Sequence, residues 1–96
     1  SIWITSDQEY IQSGAFSGFT NLEYIIFNSS VTGIGDNAFN NVPTTCKILF
    51  NGTEEQFNLI INKELCSEMT IYYYSDTTPT ETGNYWHIVD GKYVIY

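Results

Sequence analysis

An apolar triplet recurs along this chain at a fixed step of 23 residues. Ile2-Trp3-Ile4, Ile25-Ile26-Phe27, Ile48-Leu49-Phe50, Ile71-Tyr72-Tyr73 and Val94-Ile95-Tyr96 begin at 2, 25, 48, 71 and 94. A step in the 20–29 range with one short strand per step demands stacking, because a single unit of that length cannot bury its own apolar face. Three or four buried side chains stabilise one unit by about 5–10 kcal/mol, at ~1.5–3 each. Ordering its backbone costs at least ~20 kcal/mol. Neighbouring units must supply the remainder through parallel strand pairing and shared side-chain contact.

A second set of columns runs in phase with the first. Ile11, Ala15 and Phe16 recur as Ile34, Ala38 and Phe39, again 23 residues on. The Ala-Phe pairs are expected on the far side of each coil, with Phe filling the interior and Asp36-Asn37 forming a turn or cap ahead of Ala38. The fold expected is an α/β solenoid of leucine-rich-repeat kind, with one short parallel strand per 23-residue coil. One short helix and a C-terminal β-hairpin cap complete it.

The third coil carries the helix signal. Thr53 lies three residues before Gln56, which makes a capping box, and Glu54 and Glu55 fill the first turn. Phe57, Ile60 and Ile61 share one helical face, so the spacing predicts a helix over about 54–63 and a return to strand at Met69–Tyr74. A polar Thr/Pro/Gly loop follows at 75–84. Asp90-Gly91 between two apolar runs then predicts a hairpin at 85–96. The domain reading is coils over 1–74, loop over 75–84 and hairpin cap over 85–96, in one structural domain.

With a two-residue turn, Trp86 and Ile88 share a face with Tyr93 and Ile95, while Val94 joins His87 on the other. The ladder would bury Val94 and the hairpin would bury Ile95; the hairpin is the stronger local constraint. By strand alternation the ladder directs Ile2, Ile25, Ile48, Ile71, Val94 and Ile4, Phe27, Phe50, Tyr73, Tyr96 inward. The middle column, Trp3, Ile26, Leu49 and Tyr72, is then expected to project from the concave sheet. Tyr24, Lys47 and Thr70 run on one side of it, and Thr5, Asn28, Asn51 and Tyr74 on the other. An apolar and aromatic stripe across four strands reads as a binding face, as a surface covered by another part of the protein, or as a mere support of the sheet. The binding residues so expected are Trp3, Tyr24, Ile26, Lys47, Leu49, Thr70 and Tyr72.

The Ile-x-x-x-Ala-Phe runs leading to Leu22, Ile25 and Phe27, followed by Ser30 to Phe39, resemble the BspA-like class of leucine-rich repeats. Ile48-Leu49-Phe50-Asn51-Gly52-Thr53 through Phe57 is similar to that family's terminal segment, with Phe57 where Trp is usual. Tyr72 to Asp76 and Asn84 to Gly91 resemble its closing segment. The resemblance implies a non-enzymatic, secreted or cell-surface protein that adheres to a host or matrix protein through its concave face. A structural cap or spacer of a longer solenoid, whose binding site lies upstream, is the alternative. A carbohydrate-binding accessory domain using Trp3 and Tyr72 is a third reading. The chain opens inside a strand, so it reads as the C-terminal piece of a longer solenoid.

Charge and composition narrow the partners. Eleven acids face three lysines and no arginine, for a net charge of -8. Phosphate binding needs clustered Lys or Arg, so nucleic acid is not the expected partner, nor is an anionic membrane surface. No apolar run is long enough for a membrane span, and no membrane insertion is expected. Cys46 and Cys66 have no metal spacing, and each reads as a small core hydrophobe, with a bridge between them left open. His87 is the only histidine, and adjacent Glu54 and Glu55 diverge by about 100° on a helix. No cofactor and no catalytic residue are expected. Asn28-Ser29-Ser30 and Asn51-Gly52-Thr53 match the N-glycosylation pattern.

Overall fold

The structure, a computed structural model, describes residues 3–6 and 9–96, with side chains from Glu9 onward. Among the described residues the strands form two sheets. The larger is built from β1 (Trp3–Ser6), β3 (Tyr24–Phe27), β5 (Lys47–Phe50), β6 (Thr70–Tyr74), β7 (Tyr85–Val89) and β8 (Lys92–Ile95), side by side in that order. The smaller pairs β2 (Tyr10–Ile11) with β4 (Gly33–Ile34). All pairings are parallel except that of β7 with β8.

The 23-residue step is the hydrogen-bonding register itself. Ile25 lies beside Ile48 and Ile48 beside Ile71, each a difference of 23, and Ile11 lies beside Ile34 in the smaller sheet. Strand alternation sends Ile25, Phe27, Ile48 and Phe50 into one core, where each is 0 % exposed. Ile11, Ile34, Phe16, Phe39 and Ala38 close that core from the far side. Phe16 and Phe39 stack at 5.6 Å between ring centroids, so the repeated Phe column is continuous.

Far-side turns repeat as faithfully as the strands. Gly14 and Asn37 take positive φ (70° and 61°), as do Gly18 and Asn41 (85° and 66°), each pair 23 residues apart. Gly and Asn are the residues that tolerate this region at least cost. Gly14, Phe16 and Gly18 donate N–H to the carbonyls of Asp36, Ala38 and Asn40 at 3.2, 2.9 and 3.1 Å, which ties one turn to the next. Gly35 sits where the two coils touch. A Cβ there would meet Gln12 C at 2.7 Å and Ile11 O at 2.8 Å, and would also overlap the Ser13 nitrogen.

Several expectations are corrected by the packing. In β1 it is Ile4, not Ile2, that lies beside Ile25, a step of 21. Ile4 to Ile11 is seven residues where Ile25 to Ile34 is nine, so the connection between strands is two residues shorter in the first coil. A slip of two leaves the face of each residue unchanged. Ile2 lies outside the described residues, as do the side chains of Trp3, Ile4 and Thr5. Ala15, unlike Ala38, is exposed.

The predicted helix is one turn. Thr53 and Gln56 do form the capping box, with Gln56 N–H donating to Thr53 Oγ1 at 3.2 Å and Thr53 N–H to Gln56 Oε1 at 2.8 Å. Yet α1 spans only Glu54–Phe57. The chain leaves the helix because Ile61 is claimed by the second coil: its N–H donates to Thr32 O at 3.0 Å and its carbonyl accepts from Ile34 N–H at 2.9 Å. Phe57 and Ile60 are buried as expected, but Ile61 is 67 % exposed. A short 3₁₀ turn, Lys63–Cys66, makes the return to β6.

The fifth triplet is not a fifth parallel strand. Asp90 and Gly91 both have positive φ (51° and 79°), which closes a two-residue turn of type I′. Trp86 then pairs with Ile95, His87 with Val94 and Ile88 with Tyr93. Val94 is 38 % exposed and Ile95 half-buried, so the hairpin pattern prevails over the 23-residue step. Val94 and Tyr96 are therefore not continuations of the inward columns.

Candidate functional site

The face of the large sheet opposite the main core carries the expected binding residues. Register places Tyr24, Lys47 and Thr70 in one row and Ile26, Leu49 and Tyr72 in the next. Trp3 lies beside Tyr24 in the backbone register, and its side chain falls outside the described residues.

Ile26 and Leu49 do not project into solvent. They are 5 % and 0 % exposed, in a second apolar cluster with Trp86. Tyr24, Tyr72, Tyr74 and Ile95 pack around it. The cover is the chain's own hairpin. Because β7 extends the sheet beside β6, with Tyr74 next to Trp86, the curl of the sheet brings the indole over its own middle column. Trp86 is 1 % exposed and its ring meets Tyr74 at 5.0 Å and Tyr93 at 5.6 Å, both edge to face. Its Nε1–H donates to Phe50 O at 2.8 Å, so the buried indole nitrogen is satisfied. The sequence marks Trp86 as the apolar face of a hairpin. It carries no signal for which surface that face will meet.

What stays open is the row beside the covered one. Tyr24, Lys47 and Tyr72 are half-buried and Thr70 is exposed. Lys47 Nζ stands 5.6 Å from the centroid of the Tyr24 ring, within cation–π reach. The arrangement is a polar-aromatic strip, one cation wide, bordered by the Trp86 cluster. On the hairpin's other face His87 stacks on Tyr96 at 3.8 Å, and Tyr96 Oη donates to Ser75 O at 2.9 Å, so the closing residues hold the loop that precedes β7.

Both cysteines are free and buried in the main core. Burial pushes the Cys46 thiol up to about 11 and the Cys66 thiol up to about 12, which suits inert core side chains. Cys66 Sγ–H donates to Lys63 O at 3.0 Å. Among the described residues no group of three His, Cys, Asp or Glu side chains gathers as metal ligands, and no helix is long and apolar enough to cross a membrane.

Comparison with known proteins agrees with the repeat geometry. Among curated proteins and among solved structures, nothing matches the chain significantly. The family model described as BspA type leucine rich repeat region (6 copies) matches residues 1–76, so the match stops within the loop before the hairpin. With parallel strands in 23-residue register and over half its length matched, the chain belongs to the BspA-type leucine-rich-repeat family.

Proposed function

We propose that this chain is a protein-recognition module, part of a solenoid of BspA-type coils, which binds a partner protein through the open strip of its large sheet. Repeats of this family serve protein binding. The observation that carries the reading is the row Tyr24–Lys47–Thr70, aligned across three hydrogen-bonded strands and left accessible where the neighbouring row is roofed. Adhesion at a cell surface, or after secretion, is the setting typical of the family and the one we adopt. Tyr72 borders the strip as a rigid anchor. Ile26 and Leu49 act from beneath, by fixing the sheet's curvature.

Within this reading residues 1–74 are the repeat coils, 75–84 a connecting loop and 85–96 a cap. Burial of Leu49 beneath Trp86 also favours the structural alternative, in which the whole chain closes a solenoid and the binding surface belongs to other coils. One experiment separates the two. Purified extracellular-matrix proteins are passed over the immobilised chain, alongside Lys47→Glu and Thr70→Arg variants. Recognition through the strip requires a bound matrix protein whose affinity falls about tenfold or more, a loss of ~1.4 kcal/mol, with the melting temperature unchanged. Binding indifferent to both substitutions would sink the strip as the site.

A further inference from the structure

The turn at 36–41 carries a row of main-chain donors for which the described residues supply no acceptor. The carbonyls of Asp36, Ala38 and Asn40 accept from the first turn, from Gly14, Phe16 and Gly18. In a trans peptide the C=O of one residue and the N–H of the next point in opposite directions, and no described peptide bond is cis. The N–H groups of Asn37, Phe39 and Asn41 therefore point away from the first turn, to where a third turn of the same kind would stack. The 3₁₀ turn Lys63–Cys66 follows there instead, and among the described residues these three N–H groups meet no acceptor. Between the two turns lies a cleft of about 220 Å³, lined by Asn37, Ala38, Phe39, Asn40 and Leu65. Phe39 contributes its buried ring to the main core, while Asn37 and Asn41 on either side of it are exposed, so the row is reachable from outside.

We propose that this cleft is a main-chain binding site for a basic polypeptide segment of a partner protein, presenting carbonyls at three alternate residues. The first turn is the internal precedent: its equivalent N–H groups are satisfied by three carbonyls of a chain running alongside, not by one anion. Charge points the same way. Asp36 and Glu64 neighbour the lining residues in sequence, Lys63 on the same 3₁₀ turn donates to Asn58 Oδ1 at 3.0 Å, and the chain carries -8 overall, which disfavours carboxylates and phosphates and favours a basic segment. Leu65, 40 % exposed, supplies an apolar wall for a side chain of the bound segment. Such binding extends the recognition function to a second surface and is independent of the open strip.

The probe is a capped decapeptide copying residues 33–42, whose carbonyls already play this part within the chain, with Asp36→Lys to match the acidic surroundings. Titrated into the ¹⁵N-labelled 96-residue chain, it should move the amide proton resonances of Asn37, Phe39 and Asn41 downfield in a saturable way. It should also slow their hydrogen exchange towards that of Gly14, Phe16 and Gly18. Leu65→Lys should abolish those shifts while leaving the melting temperature unchanged. Three amides unmoved at saturating peptide would overturn the proposal. So would equal shifts with sodium acetate alone, which would mark an anion site, or shifts that survive Leu65→Lys.

Discussion

At the scale of single residues, Trp86 and the two cysteines are buried groups whose burial can be read out in stability. Trp86 joins a buried ring to a satisfied indole nitrogen. Trp86→Ala is expected to cost about 3–5 kcal/mol. Trp86→Phe keeps ring bulk but removes the donor to Phe50 O, so part of the loss, about 1–3 kcal/mol, should remain. Urea titrations of both variants check the order. The thiols give a pH dependence. Unfolded cysteines ionise near 8.5, whereas burial holds the folded ones up to about 11 and about 12. A raised folded pKa means that the unfolded state loses its protons first. The contribution is therefore whole below the unfolded value and drains away as pH climbs towards the folded ones. Tyr73, raised by burial and by Glu54, acts in the same sense. Unfolding free energy should fall from about pH 8.5 upward, towards the folded values of about 11 and about 12, and Cys66→Ala should make that fall shallower although the variant starts less stable. Equal slopes in the two proteins would show that the Cys66 thiol does not contribute.

At the scale of elements, local chemistry and inter-coil contact act on the same segments, and contact sets the boundaries. Thr53 caps α1 through its hydroxyl, so Thr53→Ala is expected to cost about 0.5–2 kcal/mol. The same cap could not hold a helix to residue 63 against the backbone bonds between Ile61 and the second coil. Gly35 shows the reverse dependence, in which a residue with no side chain is demanded by a neighbour's backbone. The atoms that an added methyl would strike are main chain, which cannot swing aside as a side chain can. Gly35→Ala should therefore cost more than the about 1–3 kcal/mol typical of overpacking, with a visible loss of cooperativity in thermal unfolding. A variant that melts within a degree or two of the parent would refute that account of the contact.

At the scale of the whole molecule, the hairpin shields both the β6 edge and the middle of the sheet. Removal of 85–96 would leave β6 unpaired on one side and open Ile26 and Leu49 to water, an exposed apolar edge of the kind that templates aggregation. A 1–84 fragment is expected to elute as oligomers or precipitate in light-scattering chromatography. If it stayed monomeric at the parent melting temperature, the hairpin would be an appendage rather than a cap. The open strip Tyr24–Lys47–Thr70 and the donor row at Asn37–Asn41 lie on separate surfaces of the fold, so loss of binding at one should leave the other intact.

Periodicity alone determined the parallel register of β3, β5 and β6 and the main core, because Ile and Phe recur at one step and each answers to a local or nearest-neighbour constraint. The capping box at Thr53 and the type I′ turn at Asp90-Gly91 were legible for the same reason, since their partners lie within a few residues. Only the tertiary structure decided the rest. It slipped β1 by two residues through a shorter connection and stopped α1 at Phe57 in favour of pairing by Ile61. It also laid Trp86 over Leu49, which turned a stripe that reads as exposed into a second core. That last outcome depends on how far the sheet curls and where a strand 36 residues away comes to rest. No spacing along the chain encodes such a contact, because it is made between surfaces that exist only once the coils have stacked.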